Sequence, residues 1–134
     1  MKTKLCELAV NAAKNSYSPY SGFKVGAALL CKDGSVYLGC NVENASYSAT
    51  VCAERTAFLK ALSDGKREFS AIAVAGGREE VGIDACPPCG ICRQTMAEFC
   101  KNDDFSVLLV RKNGFDEYLL NELFPLSFGE ELLK

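Results

Sequence analysis

Eight cysteines are the residues of this sequence best suited to chemistry, and three of them stand in two short motifs. Cys52 lies in segment 50–55, TVCAER, whereas Cys89 and Cys92 lie in segment 85–94, ACPPCGICRQ. A C-x-x-C spacing lets two sulfur atoms on one helical turn reach the same metal ion, and a third cysteine from another helix leaves the fourth tetrahedral position open, as catalytic zinc requires. The spacing therefore predicts a zinc site with the ligands Cys52, Cys89 and Cys92.

Each motif coincides with the expected start of a helix, where unpaired N–H groups and the helix dipole favour a thiolate over a thiol. Cys86 forms a second, overlapping C-x-x-C pair with Cys89. Pro88 is a typical first residue of a helix, and Gly90 permits close approach of the backbone to a metal, whereas the two prolines after Cys86 favour an extended chain. We therefore predict that Cys86 is not a ligand of a catalytic zinc ion.

The composition limits which metal ligands, nucleophiles and partners are available to this protein. The sequence contains no histidine, so a zinc site must be built from thiolates or carboxylates, and a Ser-His or Cys-His nucleophile is excluded. The net charge is −2 and the 15 basic residues are scattered, which argues against a nucleic-acid polymer as partner. No apolar run approaches the ~20 residues of a membrane span, and no secretory signal precedes the cysteines. We expect a cytoplasmic protein with reduced thiols and no membrane partner.

Hydrophobic periodicity predicts the elements that must position these residues. Helices are expected over residues 3–15, 51–63 and 90–100, with a short helical tail. Strands are expected over residues 23–31, 35–42, 69–75, 105–110 and 115–120, the third ending at a glycine pair. We predict a single domain over residues 1–134, a three-layer α/β/α fold with a mixed five-stranded sheet, in which an antiparallel hairpin comes first and helical crossovers make the later strands parallel.

Glu54 follows Cys52 after one intervening residue, and a Pro-Cys-x-x-Cys segment comes downstream at residues 88–92. This combination is the pattern of zinc-dependent nucleobase deaminases. The sequence resembles the cytidine deaminase family, of the small homotetrameric kind, from about residue 17 to residue 128. The segments that carry the resemblance besides the metal motifs are FKVGAAL at 23–29, NVENASY at 41–47 and LFPLSF at 123–128.

The resemblance implies hydrolytic deamination of cytidine, and of 2′-deoxycytidine, in pyrimidine salvage, with one Zn²⁺ per subunit of a homotetramer. Glu54 would move protons from the attacking water to N3 of the base and then to the leaving ammonia. Three thiolates give a zinc centre a formal charge of −1, which reduces its power to acidify water. Arg55 and Arg93 are placed by sequence to offset that charge, and the resemblance assigns this role to Arg55.

The resemblance also implies which residues contact the nucleoside. Within one subunit, Asn41 and Glu43 would bind the ribose hydroxyls, Phe23 would pack beside the nucleoside, and Ala53 would offer backbone groups to the base. Three residues would reach the site from neighbouring subunits, namely Ala45, Tyr47 and Phe128.

The residues leave four alternatives open. One is deamination of another cytosine-bearing small molecule, such as blasticidin S, and a second is editing of a polynucleotide. A third is a non-catalytic zinc module in which Cys86 supplies a fourth ligand. The last is a dithiol redox protein, which gives Cys52 and Glu54 no role.

Overall fold

One five-stranded sheet, in the order β2-β1-β3-β4-β5, organises the protein in the computed structural model, which describes all residues 1–134. The strands are β1 (Phe23–Cys31), β2 (Val36–Cys40), β3 (Phe69–Arg78), β4 (Ser106–Arg111) and β5 (Gly114–Leu119). The helices are α1 (Lys2–Ala13), α2 (Ala53–Ser63), α3 (Gly90–Phe99) and α4 (Leu120–Leu123), with single 3-10 turns at Tyr47–Ala49 and Glu130–Leu132. None of the helices is long and apolar enough to cross a lipid bilayer.

The helices lie on both faces of the sheet, which confirms the predicted three-layer arrangement. Helix α1 covers one face, where Leu5 and Ala9 pack against small and aliphatic residues of β3 and β4. The larger core lies on the other face, where Phe58 of α2 and Met96 of α3 meet the inward residues of all three central strands. Both helices that carry the cysteine motifs therefore share one face of the sheet.

Strand directions are mixed, as predicted, but the last strand departs from the expectation. β1 is antiparallel to β2 and to β3, and β3 is parallel to β4, to which it is joined through α3. β5 is antiparallel to β4, so the expectation that all later strands are parallel was wrong for β5. Only Lys112 and Asn113 separate these two strands, and a parallel neighbour needs a crossover of about a dozen residues or more.

β3 continues through Gly76 and Gly77, where the sequence predicted its end. A Cβ at Gly77 would lie 2.0 Å from the carbonyl oxygen of Gly82, and one at Gly76 would lie 2.9 Å from Sγ of Cys86. The segment after β3 folds back onto the strand and forms a bridge between Gly76 and Asp84. The glycines here permit close packing of this return segment rather than ending the strand.

Gly39 of β2 determines how closely α2 packs against the sheet. A Cβ at this position would lie 2.4 Å from the carbonyl oxygen of Ala53 and 2.6 Å from the nitrogen of Ala57. The first turn of α2 therefore rests directly on the backbone of β2, a closeness that only glycine allows. This contact fixes the place at which Cys52 and Glu54 enter the fold.

Candidate metal centre

Three cysteine sulfur atoms meet at the N-termini of α2 and α3. Sγ of Cys52 is 3.7 Å from Sγ of Cys89, which is 3.4 Å from Sγ of Cys92, and all three atoms lie within 4.8 Å of one another. Tetrahedral zinc with Zn–S bonds of about 2.3 Å separates its sulfur ligands by about 3.8 Å. The chain therefore presents a set of three sulfur atoms, hereafter the three-cysteine cluster, whose spacing fits one zinc ion with an open fourth position.

Both helices begin at a ligand. Cys52 is the N-cap of α2 and Cys89 is the N-cap of α3, each in an extended conformation, and neither side chain caps its own helix by a hydrogen bond. The first N–H groups of the two helices lack a side-chain cap, so their partial positive charges face the sulfur atoms. This electrostatic environment favours thiolates, as metal ligation requires.

The thiol of Cys52 is strongly acidified by its neighbours. A hydrogen bond from Cys92, together with the guanidinium of Arg55, lowers the pKa of Cys52 to about 5 against the opposing effect of burial. Cys92 is fully buried and its pKa is raised, first by the same hydrogen bond and then by burial. One thiolate already exists near neutral pH, and a cation at the open centre of the cluster is the natural counter-charge for the others.

Arg55 lies in the first turn of α2 and turns back towards the cluster. Its Nη2 donates to the carbonyl oxygen of Thr50 at 3.1 Å and lies 4.0 Å from Sγ of Cys52. Its Nε is buried and has no hydrogen-bond partner within the chain. A buried donor beside the acidic thiol of Cys52 suits a centre that carries excess negative charge, and this fits a zinc site with three thiolate ligands.

Arg93 does not share this arrangement, although its sequence position suggested the same role. Its Nε donates to the carbonyl oxygen of Pro88 at 2.8 Å, and its Nη1 donates to the carbonyl oxygen of Leu123. Arg93 thus joins the start of α3 to the end of α4. Both hydrogen bonds of Arg93 go to backbone oxygens and neither goes to a cysteine sulfur, so no contact supports the charge-compensating role expected for Arg93, which stays a prediction.

Glu54 lies at the second position of α2, two residues after Cys52, and is only 4 % exposed. Burial raises the pKa of its carboxyl group to about 7, and the neighbouring Cys52 thiolate adds to the increase. A carboxyl group with this pKa exchanges protons readily near neutral pH. Because Cys52 is the N-cap and Glu54 is in the first turn, the short spacing brings both to the end of the helix.

Cys86 lies outside the three-cysteine cluster. Its side chain packs towards Gly76 and Phe23, and burial raises the pKa of its thiol to about 11. Position rather than pKa distinguishes Cys86 from the ligands, because the pKa of Cys92 is raised as well although Cys92 belongs to the cluster. At Gly90, in contrast, a Cβ would meet nothing within 4 Å, so the chain itself does not require the close backbone approach expected there.

Asn41 and Glu43, the expected ribose-binding pair, lie just beyond β2 and are held by hydrogen bonds. Oδ1 of Asn41 accepts from the N–H of Val25 at 3.0 Å and from the hydroxyl of Ser16, while Nδ2 donates to the carbonyl oxygen of Phe23 at 2.8 Å. One N–H of the Asn41 amide remains free. The side chain therefore orders the start of β1 and still has a donor to offer.

The carboxylate of Glu43 holds the loop before β1. Its Oε1 accepts from the N–H groups of Tyr20 and Ser21 at 3.0 and 3.1 Å, and its Oε2 accepts from the hydroxyl of Ser21. The Ser21 hydroxyl in particular lowers the pKa of Glu43. Sequence reasoning missed Ser21, because no spacing rule connects a loop serine with a carboxylate 22 residues later.

The remaining expected contact residues differ in exposure. Ala53 is fully buried at the start of α2, and Phe23 is partly buried beside the larger core. Tyr47 is 77 % exposed and Phe128 is 54 % exposed, and Ala45 is exposed as well. The role expected for these last three residues in the sites of neighbouring subunits stays a prediction.

A family model of the cytidine and deoxycytidylate deaminase zinc-binding region matches residues 1–107, which is most of the chain. The chain belongs to this deaminase family. The three-cysteine cluster is accordingly the group that can hold the zinc ion of the family's zinc-binding region. With the family known, the redox-protein alternative no longer accounts for the observations.

Individual deaminases of the family are similar along nearly the whole chain. A cytidine deaminase of Sporosarcina psychrophila is 47 % identical over 128 residues, covering 96 % of this chain and 91 % of the relative. A cytidine deaminase of Halalkalibacterium halodurans is 48 % identical over 127 residues, covering 95 % of this chain and 93 % of that relative. The crystal structure of cytidine deaminase from Burkholderia pseudomallei superimposes with a TM-score of 0.87 at 44 % identity, covering 96 % of this chain and 99 % of that one.

Proposed function

We propose that this protein catalyses the zinc-dependent hydrolytic deamination of cytidine and 2′-deoxycytidine to uridine and deoxyuridine, with release of ammonia. The observation that carries the proposal is the pairing of a buried carboxyl group, Glu54, with the three-cysteine cluster at two converging helix N-termini. A structural zinc site has four protein ligands and needs no carboxyl group of this kind. The similarity to cytidine deaminases supports the choice of nucleoside.

In the proposed reaction, the oxygen of water forms a bond to C4 of the cytosine ring, and the C4–N bond to the exocyclic amino group breaks. Zinc held by Cys52, Cys89 and Cys92 would supply the acidity that makes water nucleophilic near neutral pH. Glu54 accepts one proton from the water and delivers it to N3, and it then moves the second proton, from the hydroxyl group now on C4, to the amino group that leaves as ammonia. The raised pKa of Glu54, about 7, suits both directions of transfer.

The sugar is recognised, in this proposal, by Asn41 and Glu43. Three donors occupy three of the about four acceptor positions of the Glu43 carboxylate, and one position on Oε2 remains. Asn41 retains one free N–H. A free acceptor and a free donor are what a hydroxyl group needs, since it donates one hydrogen bond and accepts others. Phe23 and the backbone of Ala53 would contact the rest of the nucleoside.

We further propose that the chain, as one catalytic domain over residues 1–134, works as a cytoplasmic homotetramer in pyrimidine salvage. Ala45, Tyr47 and Phe128 would complete the sites of neighbouring subunits. A shallow apolar groove beside α2, with Tyr37, Val42, Val51 and Leu59 in its lining, supports self-association, because exposed apolar surface of this kind is typical of interfaces. Sedimentation of the purified protein tests the assembly, and a monomer at assay concentration would contradict it.

A turnover assay of the purified protein tests the activity. We expect deamination of cytidine and deoxycytidine, loss of activity after zinc is removed with a chelator, and recovery when zinc is added back. Blasticidin S should not be turned over at a comparable rate. A protein that binds zinc but deaminates none of these compounds would contradict the proposal and favour a structural zinc module.

A further inference from the structure

Every polar group of Ser21 has a partner at the mouth of the proposed sugar site. Its hydroxyl donates to Oε2 of Glu43 and accepts from the N–H of Phe23 at 3.0 Å. Its own N–H donates to Oε1 of Glu43 at 3.1 Å, and its carbonyl oxygen accepts from Nη1 of Arg78 at 2.6 Å. Ser21 thus connects a strand end with two residues that are expected to contact the nucleoside.

The hydroxyl of Ser21 determines which way the remaining acceptor position of Glu43 faces. Oε1 is occupied by two N–H donors, so only Oε2 has an acceptor position to offer to a ligand. The Ser21 hydroxyl is the single donor to Oε2 within the chain. If it is lost, only the two N–H groups on Oε1 still hold the carboxylate, and Oε2 can move more easily because the last torsion of a glutamate is broad.

Arg78 holds Ser21 in place. Arg78 ends β3 and is paired with Phe23 at the start of β1, so its guanidinium reaches back along the neighbouring strand to the carbonyl oxygen of Ser21. Gly22, which lies between Ser21 and Phe23 in the chain, has a φ of +69°, and a Cβ there would lie 3.4 Å from Nη1 of Arg78. The loop therefore closes tightly under the guanidinium, a conformation that glycine adopts without strain.

We propose that Ser21 is a positioning residue for sugar recognition, that it acts by orienting the carboxylate of Glu43, and that Arg78 supports it. This inference rests on the proposed contact between Glu43 and the ribose. Ser21 does not touch the reacting atoms, and its effect therefore falls on binding of the sugar rather than on the chemical step. A substrate without ribose hydroxyls is insensitive to Ser21.

Steady-state kinetics with cytidine and with 2′,3′-dideoxycytidine test this inference, the latter measured as a substrate or as a competitive inhibitor. We expect Ser21→Ala to raise KM for cytidine about tenfold while kcat stays within about twofold of the wild-type value. The KM or inhibition constant of dideoxycytidine should stay within about twofold of the wild-type value. Ser21→Thr, which keeps the hydroxyl, restores KM. Arg78→Gln shifts KM in the same direction by a smaller factor and serves as a second, independent variant. Thr3→Ala, which removes an exposed hydroxyl group on α1, is the matched control and leaves KM and kcat unchanged.

The variant Glu43→Ala distinguishes failure of the proposed contact between Glu43 and the ribose from failure of the role of Ser21 alone. If Glu43→Ala weakens cytidine but not dideoxycytidine, the sugar contact holds, and equal effects of Ser21→Ala on both compounds then overturn the role of Ser21 alone. If Glu43→Ala affects both compounds equally, the proposed sugar contact and the role of Ser21 both fall. In the double variant Ser21→Ala/Glu43→Ala, KM for cytidine should equal that of Glu43→Ala, because the serine acts through the carboxylate. Additive effects of the two substitutions on KM would show that Ser21 does not act through the carboxylate of Glu43.

Discussion

Cys52 and Cys89 occupy the same structural position in two different helices, each as the N-cap residue, and their sulfur atoms are 3.7 Å apart. The N-termini of α2 and α3 therefore converge on one point on the same side of the sheet. Two helix dipoles add positive potential at this point, where three sulfur atoms and any metal ion must lie. The relationship explains how a chain without histidine can assemble a centre from thiolates alone.

The first prediction concerns the ligand set. Replacing Cys52, Cys89 or Cys92 by serine should reduce bound zinc well below one ion per chain, because each removes one of three sulfur ligands. Cys86→Ser should keep one zinc per chain, since Cys86 lies outside the cluster. Zinc is measured by atomic spectroscopy after gel filtration, with Cys40→Ser as a control. Loss of zinc in Cys86→Ser would instead support a closed four-cysteine site.

The second prediction concerns Arg55, whose guanidinium lies 4.0 Å from Sγ of Cys52. Arg55→Gln should weaken zinc binding about 10- to 100-fold, because it removes positive charge beside the thiolates. Chelator competition measures the affinity. Arg67→Gln is the matched control, because Arg67 donates to the carbonyl oxygens of Leu62 and Lys66 around the C-terminal end of α2, away from the cluster. Equal affinities for Arg55→Gln and the wild-type protein would remove Arg55 from the metal centre.

The third prediction concerns the proton carrier. Glu54→Gln should retain zinc and lose about 10²- to 10⁴-fold in kcat for cytidine, because the amide has the size of the carboxyl group but cannot shuttle protons. Zinc content and kcat are measured on the same preparation. Turnover at the wild-type rate would exclude Glu54 from proton transfer, and simultaneous loss of zinc would point to a structural effect.

The fourth prediction uses the pKa of Glu54, which burial raises to about 7 from an ordinary value of about 4.3. Between these pH values the folded protein keeps a proton that the unfolded chain has released. The contribution of Glu54 to stability is therefore fully present below about pH 4.3 and is lost as pH rises through about 7. In zinc-free protein, the unfolding free energy of Glu54→Gln should rise relative to wild type by up to about 4 kcal/mol across this window.

Denaturant unfolding of chelator-treated protein from pH 5 to pH 8 measures this difference. The diagnostic quantity is the gap between the wild-type and Glu54→Gln curves, because other groups titrate equally in both to a first approximation. Glu7→Gln, at an exposed position of α1, should show no such gap. Parallel curves for Glu54→Gln and wild type would mean that the carboxyl group is not buried as described.

The fifth prediction compares two glycines. Gly39→Ala should destabilise the protein by about 1–3 kcal/mol or more and lower zinc affinity, because the added Cβ meets the backbone of α2 at 2.4 Å. Gly90→Ala introduces a Cβ that meets nothing within 4 Å and improves helix propensity, so zinc-free stability should be unchanged or higher. Thermal melts and zinc titrations distinguish the two outcomes. A harmless Gly39→Ala would show that α2 does not rest on β2 as closely as described.

The residues that act within one helix or hairpin were predictable from the sequence. Cys52 and Cys89 stand where helix start signals occur, and the apolar runs of β1 and β4 have a clear pattern. Local signals of this kind depend only on near neighbours along the chain. They were sufficient for the layers, for most element bounds and for the metal motif.

Features that depend on distant contacts were not predictable in this way. Gly76 resembles a strand end in the sequence, but it continues β3 because Cys86 returns to pack against it. Arg93 resembles a partner of the metal centre, but its donors reach Leu123, 30 residues away. The contact between Arg78 and Ser21 spans 57 residues. Such pairs form only when the sheet is assembled, and no local pattern encodes them.

The absence of a side-chain cap at Cys52 and Cys89 has a consequence for protein engineering. Serine at an N-cap position typically stabilises a helix by about 1 kcal/mol relative to a residue that cannot cap. A stability screen on the zinc-free chain would therefore select this replacement at both positions, and each substitution would remove a ligand. Thermostable variants should be sought elsewhere in the fold, because optimum helix stability and metal binding are mutually exclusive at these two residues.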